Sequence, residues 1–130
     1  MKITSVLLEA NTPTVNGNVY PREVLEKMIS ESKEIVENGK FFGTYKGFDK
    51  DAIDLTQVTH RVTNIDLVDD KVVATAEILN TPAGEKLLIQ LDKHPQDFVL
   101  RTVGFGIVEH NVVKDYKLVA VNIYDKKDCV

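Results

Sequence analysis

The chain has 130 residues, of which 43% are hydrophobic and 28% charged, and a formal net charge of −4; this is the balance of a single globular domain over residues 1–130 that needs neither cystine nor metal to fold. Its one cysteine, Cys129, excludes an intrachain disulfide and fits a reducing compartment. The acidic balance and the lack of a dense Lys/Arg cluster argue against nucleic acid as a partner; no apolar run approaches the ~20 residues of a membrane span, and the stretch Lys2–Ala10 reaches Glu9 too soon for a signal peptide.

Ile3 to Glu9 reads as a buried strand, carried by Ile3, Val6, Leu7 and Leu8. Asn11 to Asn18 is a loop with an Asn16-Gly17 turn signal. Pro21 suits the first turn of a helix whose apolar stripe is Val24, Leu25, Met28, Ile35 and Val36, bridged by Ser32, and Asn38-Gly39 supplies its stop. Lys40 to Tyr45 is a short strand candidate, and Lys46 to Asp54 has the composition of a loop. Thr56 to Val68 and Lys71 to Leu79 form a hairpin turning at Asp69-Asp70, with Val72, Ala74, Ala76 and Ile78 on one face and Val73, Thr75 and Glu77 on the other. Thr81 caps a second helix, with Pro82 in its first turn, Leu87, Leu88 and Leu91 as its stripe, and His94-Pro95 at its end. Phe98 to Glu109 and Lys117 to Tyr124 are the last strands, separated by a turn near Lys114-Asp115. The order β-α-β-β-β-α-β-β predicts an α+β fold: a mainly antiparallel sheet or small barrel with two helices packed on it.

No cofactor or metal is expected. His60, His94 and His110 lack metal-ligand spacing, the acidic pairs suit turns, and 49–54 lacks the Gly and terminal Glu of a calcium loop. Gly104-Phe105-Gly106 opens no helix and lacks a third glycine at dinucleotide spacing, so it reads as a bulge or a close backbone approach. His94 reads as a helix-end residue on the terminal carbonyls, and His110 as a solvated turn residue.

Three segments, in order, carry a resemblance: Asn16-Gly17-Asn18-Val19-Tyr20-Pro21 with Val24-Leu25; Val58-Thr59-His60-Arg61-Val62 with the run Ala76 to Leu87; and Gly104-Phe105-Gly106. Together they resemble the prohead (capsid-maturation) protease family of tailed phages, over about Leu7 to Tyr124. The resemblance implies an assemblin-like barrel flanked by helices, and in the family a serine enzyme acting inside the immature capsid. The family's nucleophile lies in a Ser-x-Arg-Gly-x-Gly run; here Arg101 stands at the serine and Val103 at the arginine. The family's base is a histidine in the loop before the long hairpin; here Gly47 or Phe48 holds that place.

The residues themselves point the same way. A serine enzyme needs an exposed hydroxyl beside a base, and donors for the oxyanion. The only serines are Ser5, Ser30 and Ser32, on the first strand and first helix, away from Gly104, and Cys129 is a tail residue. Thr102 is the one hydroxyl near the right place, and an internal threonine lacks the N-terminal amine that activates threonine enzymes. His60 reads as a sheet histidine bonded to a neighbour; as the alternative, Thr102 and His60 form a rearranged protease site. The expected function is therefore a non-catalytic structural phage protein, an auxiliary or decoration protein of the virion head, assembled in the host cytoplasm. Its partners would be capsid or other virion proteins, with self-association possible through strand edges, and with loops Asn11–Asn18 and Lys46–Asp54 as candidate contacts.

Overall fold

In the computed structural model, residues 1–14, 16–45 and 57–126 are described. The elements are β1 (Lys2–Glu9), α1 (Arg22–Glu37), β2 (Phe42–Thr44), β3 (Val58–Val68), β4 (Lys71–Ile78), α2 (Pro82–Lys93), a 3-10 turn (Pro95–Asp97), β5 (Phe98–Glu109) and β6 (Val112–Asp125). The fold is α+β with antiparallel sheets, as the residue pattern predicts.

Alternation on β4 decides which face is covered. Val72, Ala74, Ala76 and Ile78 are buried while the residues between them are not, and β4 pairs with β3 on one side and β1 on the other. With β2 beyond β3, the order is β1-β4-β3-β2; β5 and β6 form a separate two-stranded ribbon. α1 packs on β3 and β6 through Val24, Leu25, Met28, Ser32 and Val36. It ends at Gly39 (φ +70°): the Gly39 N–H donates to the Val36 carbonyl and the Lys40 N–H to that of Ile35, the paired bonds that close a helix on a left-handed glycine. α2 begins at Thr81, whose hydroxyl accepts from the Gly84 N–H at 3.0 Å and donates to the Val58 carbonyl. Thr81→Ala should therefore lower the unfolding free energy by about 1–2 kcal/mol in urea titrations, the cap and the strand contact being lost together.

The ribbon is tied to the sheet along both edges, which makes the whole barrel-like. On one side β2 and β3 meet β6: Tyr45 bridges Ile123, Asn122 Oδ1 accepts from the Thr44 N–H at 3.1 Å, and the His60 ring reaches the Val121 carbonyl at 2.7 Å. The Tyr45 hydroxyl extends this seam by donating to the Asp125 carboxylate at 2.6 Å. On the other side the Leu100 N–H donates to Ser5 Oγ at 3.4 Å, where β5 approaches β1. Val19, from the loop before α1, bridges Val112 at the start of β6.

Four readings of the sequence are corrected. The last turn lies at His110-Asn111, not Lys114-Asp115, and β6 starts at Val112. His110 and Asn111 both have positive φ (52° and 65°), the conformation of a two-residue hairpin turn that Asn tolerates. Lys114 and Asp115 belong to the strand, where shifts in register blur the alternation. β1 is only half-covered, with Val6 51% exposed, because it is the outer strand and its Thr4 and Val6 row faces solvent. Ile35 is 44% exposed; it sits one residue, about 100° of helix, off the stripe that ends in Val36. The His94 side chain turns to Asp97 (3.8 Å) rather than to helix carbonyls, and it is its backbone N–H that reaches Gln90.

Candidate functional site

An open groove of about 520 Å³ lies between the end of β1 and β5, and Arg101, Thr102 and Gly104 line it. Local sequence explains its shape. A register shift between Val6 and Leu8 bulges β1 while it stays paired to β4, and both Leu7 and Leu8 line the groove. Tyr20 and Tyr116 meet edge-to-face at 5.5 Å on its other side, an arrangement rings favour electrostatically. Burial and the neighbouring Tyr116 push the Tyr20 phenol above its ordinary 10.0, so at neutral pH it remains an uncharged donor. Gly104 admits this packing: a Cβ there would overlap the Lys117 carbonyl oxygen and come within 2.7 Å of the Tyr116 ring. The glycine pair thus marks a close approach beside a shift in register, as its sequence suggests.

Arg101 is exposed and, among the described residues, has no ion-pair or hydrogen-bond partner. Thr102 is partly covered, stands opposite Val121 on β6, and has no hydrogen-bonded histidine or carboxylate among the described residues. No histidine, serine, cysteine, aspartate or glutamate is among the groove-lining residues described.

His60 lies elsewhere. It is fully buried on β3, facing Gly43 of β2 and Ile78 of β4. Its Nε2 is 2.7 Å from the Val121 carbonyl and its Nδ1 2.7 Å from the Thr59 hydroxyl. A carbonyl only accepts, so Nε2 carries the proton and Nδ1 accepts from Thr59. Burial, partly offset by the bond to Val121, lowers its pKa to about 4. β6 runs between His60 and Thr102, and His60 offers no free ring nitrogen to the groove.

The structure therefore brings Arg101 and Thr102 into one groove and leaves His60 outside it. Gly47, Phe48, Cys129 and the 46–54 loop lie outside the described residues. Ser5 lies outside the groove lining but against β5, where its Oγ accepts from the Leu100 N–H, four residues before Gly104. Sequence reasoning also missed the tyrosine pair. Tyr20 stands in the Tyr20-Pro21 motif but carries no signal of a site, and a turn expected at Lys114-Asp115 hides Tyr116. A second cleft of about 460 Å³ lies at the end of α2, by Tyr45, His94, Asp97 and Asp125. Among the described residues no group of three His, Cys, Asp or Glu is placed to hold a metal, and no helix is long and apolar enough to cross a membrane.

No protein-family model and no curated protein sequence matches the chain. The structure is similar to that of the bacteriophage T4 capsid assembly protease, gp21, with a TM-score of 0.80 and 20% sequence identity, over 95% of this chain and 80% of that one. The chain thus has a prohead-protease-like fold, and the likeness is one of fold.

Proposed function

We propose that this protein is a non-catalytic structural component of a tailed-phage head, an auxiliary or decoration protein that binds the capsid shell through sheet edges and loops. The observation that carries this reading is the groove beside Gly104: Arg101 and Thr102 line it, and no base lies beside the Thr102 hydroxyl among the described residues. An acyl-transfer enzyme needs nucleophile and base within hydrogen-bond reach. The fold shared with a capsid assembly protease supports a place in head assembly, and the composition of the groove supports binding over cleavage.

Three measurements test it. Mass spectrometry of purified particles should find the chain as a stoichiometric head component; particles that lack it would remove the virion role. Incubation with the capsid and scaffold proteins should give no cleavage, and a fluorophosphonate should leave the folded chain unlabelled. Cleavage abolished by Thr102→Ala, or labelling abolished by Ser5→Ala, would make the protein an enzyme with a rearranged site.

A further inference from the structure

The edge of β5 that faces away from β6 has no ladder partner among the described residues. Its hydrogen-bonding groups can be placed. Val121 turns its carbonyl from β5 to His60, so its opposite number Thr102 is likewise turned away from β6, and the Leu100 N–H reaches outward to Ser5. Alternate residues of an antiparallel strand share an edge. The N–H and C=O groups of Thr102, Gly104, Gly106 and Val108 therefore face the open side, and among the described residues only Leu100 of this row finds a hydrogen-bond partner there. Neither Lys nor Pro interrupts 102–108, although such residues are what usually blunt an exposed edge.

The other row of β5 is Arg101, Val103, Phe105, Ile107 and Glu109. All five are exposed, Phe105 at 76%, Ile107 at 60% and Val103 at 38%. Read from either end about Phe105, the row is charge, aliphatic, aromatic, aliphatic, opposite charge. We infer that β5 pairs edge-to-edge with β5 of a second copy about a two-fold axis at Phe105. Phe105 then faces its own copy, Val103 faces the partner's Ile107, and Arg101 faces the partner's Glu109, each of the last two contacts made twice. A two-fold interface must be self-complementary, and opposite residues set strand register. Moving the axis to Gly104 or Gly106 sets Arg101 against Ile107, or Val103 against Glu109; moving it to Val103 or Ile107 sets a charge against Phe105. In the Phe105 register the partner's residues 106–109 run beside Arg101–Gly104, where the groove leaves about 520 Å³ of room. The second copy supplies the carboxylate that Arg101 lacks within its own described chain. This inference stands on the strand and holds with or without the capsid role.

Sedimentation equilibrium of the purified chain, from about 1 to about 500 µM, should show a reversible monomer–dimer equilibrium. Arg101→Glu and Glu109→Arg should each weaken it about tenfold or more, because each sets two like-charged pairs across the axis. An equimolar mixture of the two variants restores both pairs and should dimerise within about threefold of the unaltered chain. Phe105→Lys, with two ammonium groups meeting at the axis, should also weaken it about tenfold or more. Circular dichroism melts establish that each variant is folded, and the unaltered chain decides the matter if one is not. A monomer throughout the range overturns the inference; so do single reversals that dimerise like the unaltered chain, and a mixture no tighter than its components.

Discussion

Gly43→Ala should lower the unfolding free energy by about 3–5 kcal/mol, combining the overpacking of a closed seam with the loss of a buried hydrogen bond. Gly43 lies on β2 opposite His60, and a Cβ there would overlap both the Val121 carbonyl oxygen and His60 Nε2. Neither neighbour can give way cheaply. The carbonyl is main chain of β6, and the ring is held at both nitrogens, by Val121 and Thr59. The methyl group must part β2 from β6, and the Thr44–Asn122 and Tyr45–Ile123 contacts follow along the same seam. Gly17→Ala is the control: Gly17 has φ +83° and no neighbour within 4 Å of a Cβ, so only backbone strain applies, at about 1 kcal/mol. Equal urea midpoints for the two variants would show that the seam is not a tight contact.

How far the sequence discloses this architecture depends on whether a contact leaves a periodic trace. The β3–β4 hairpin is legible because burying one face forces strict alternation, and Val72 to Ile78 show it without a break. α2 is legible because its cap uses chemistry confined to a helix start, Thr81 before Pro82. β6 defeats the same reasoning. Its shifts in register move Lys114 and Val119 out of phase, so that a continuous strand reads as turn, then strand. Closure of the barrel is not legible at all. It rests on a ring reaching a carbonyl 61 residues away and an amide oxygen reaching across 78, single contacts that no local pattern announces. The candidate site divides in the same way. Arg101 and Thr102 were found because they precede Gly104-Phe105-Gly106 on one strand. Their separation from His60 is a property of strand order, which places β6 between them. Ser5 shows the converse: remote in sequence, it lies against β5 at Leu100 once the barrel closes.

His60 should make stability depend on pH between about 6.5 and 4. Its pKa is lowered from 6.5 to about 4 in the folded chain, chiefly by burial. Between those values the unfolded chain takes up the proton and the folded chain does not. Stability is therefore full above about 6.5, falls as pH drops, and by about 4 has lost roughly 3 kcal/mol from this group. No charged side chain among the described residues bonds the ring; Gly43, Ile78, the Thr59 hydroxyl and the Val121 carbonyl surround it. Urea titrations from pH 7 to 4 should show this loss in the unaltered chain. In His60→Gln the loss over that range should shrink by about 3 kcal/mol, although the variant is less stable at pH 7. The Cε1 proton of His60 should titrate with a midpoint near 4 by NMR. The same measurement bears on function, because a general base works best with a pKa near the operating pH and a free lone pair. A His60 that titrates near neutrality, with the same pH slope surviving in the glutamine variant, would mean that the ring is not locked to Val121.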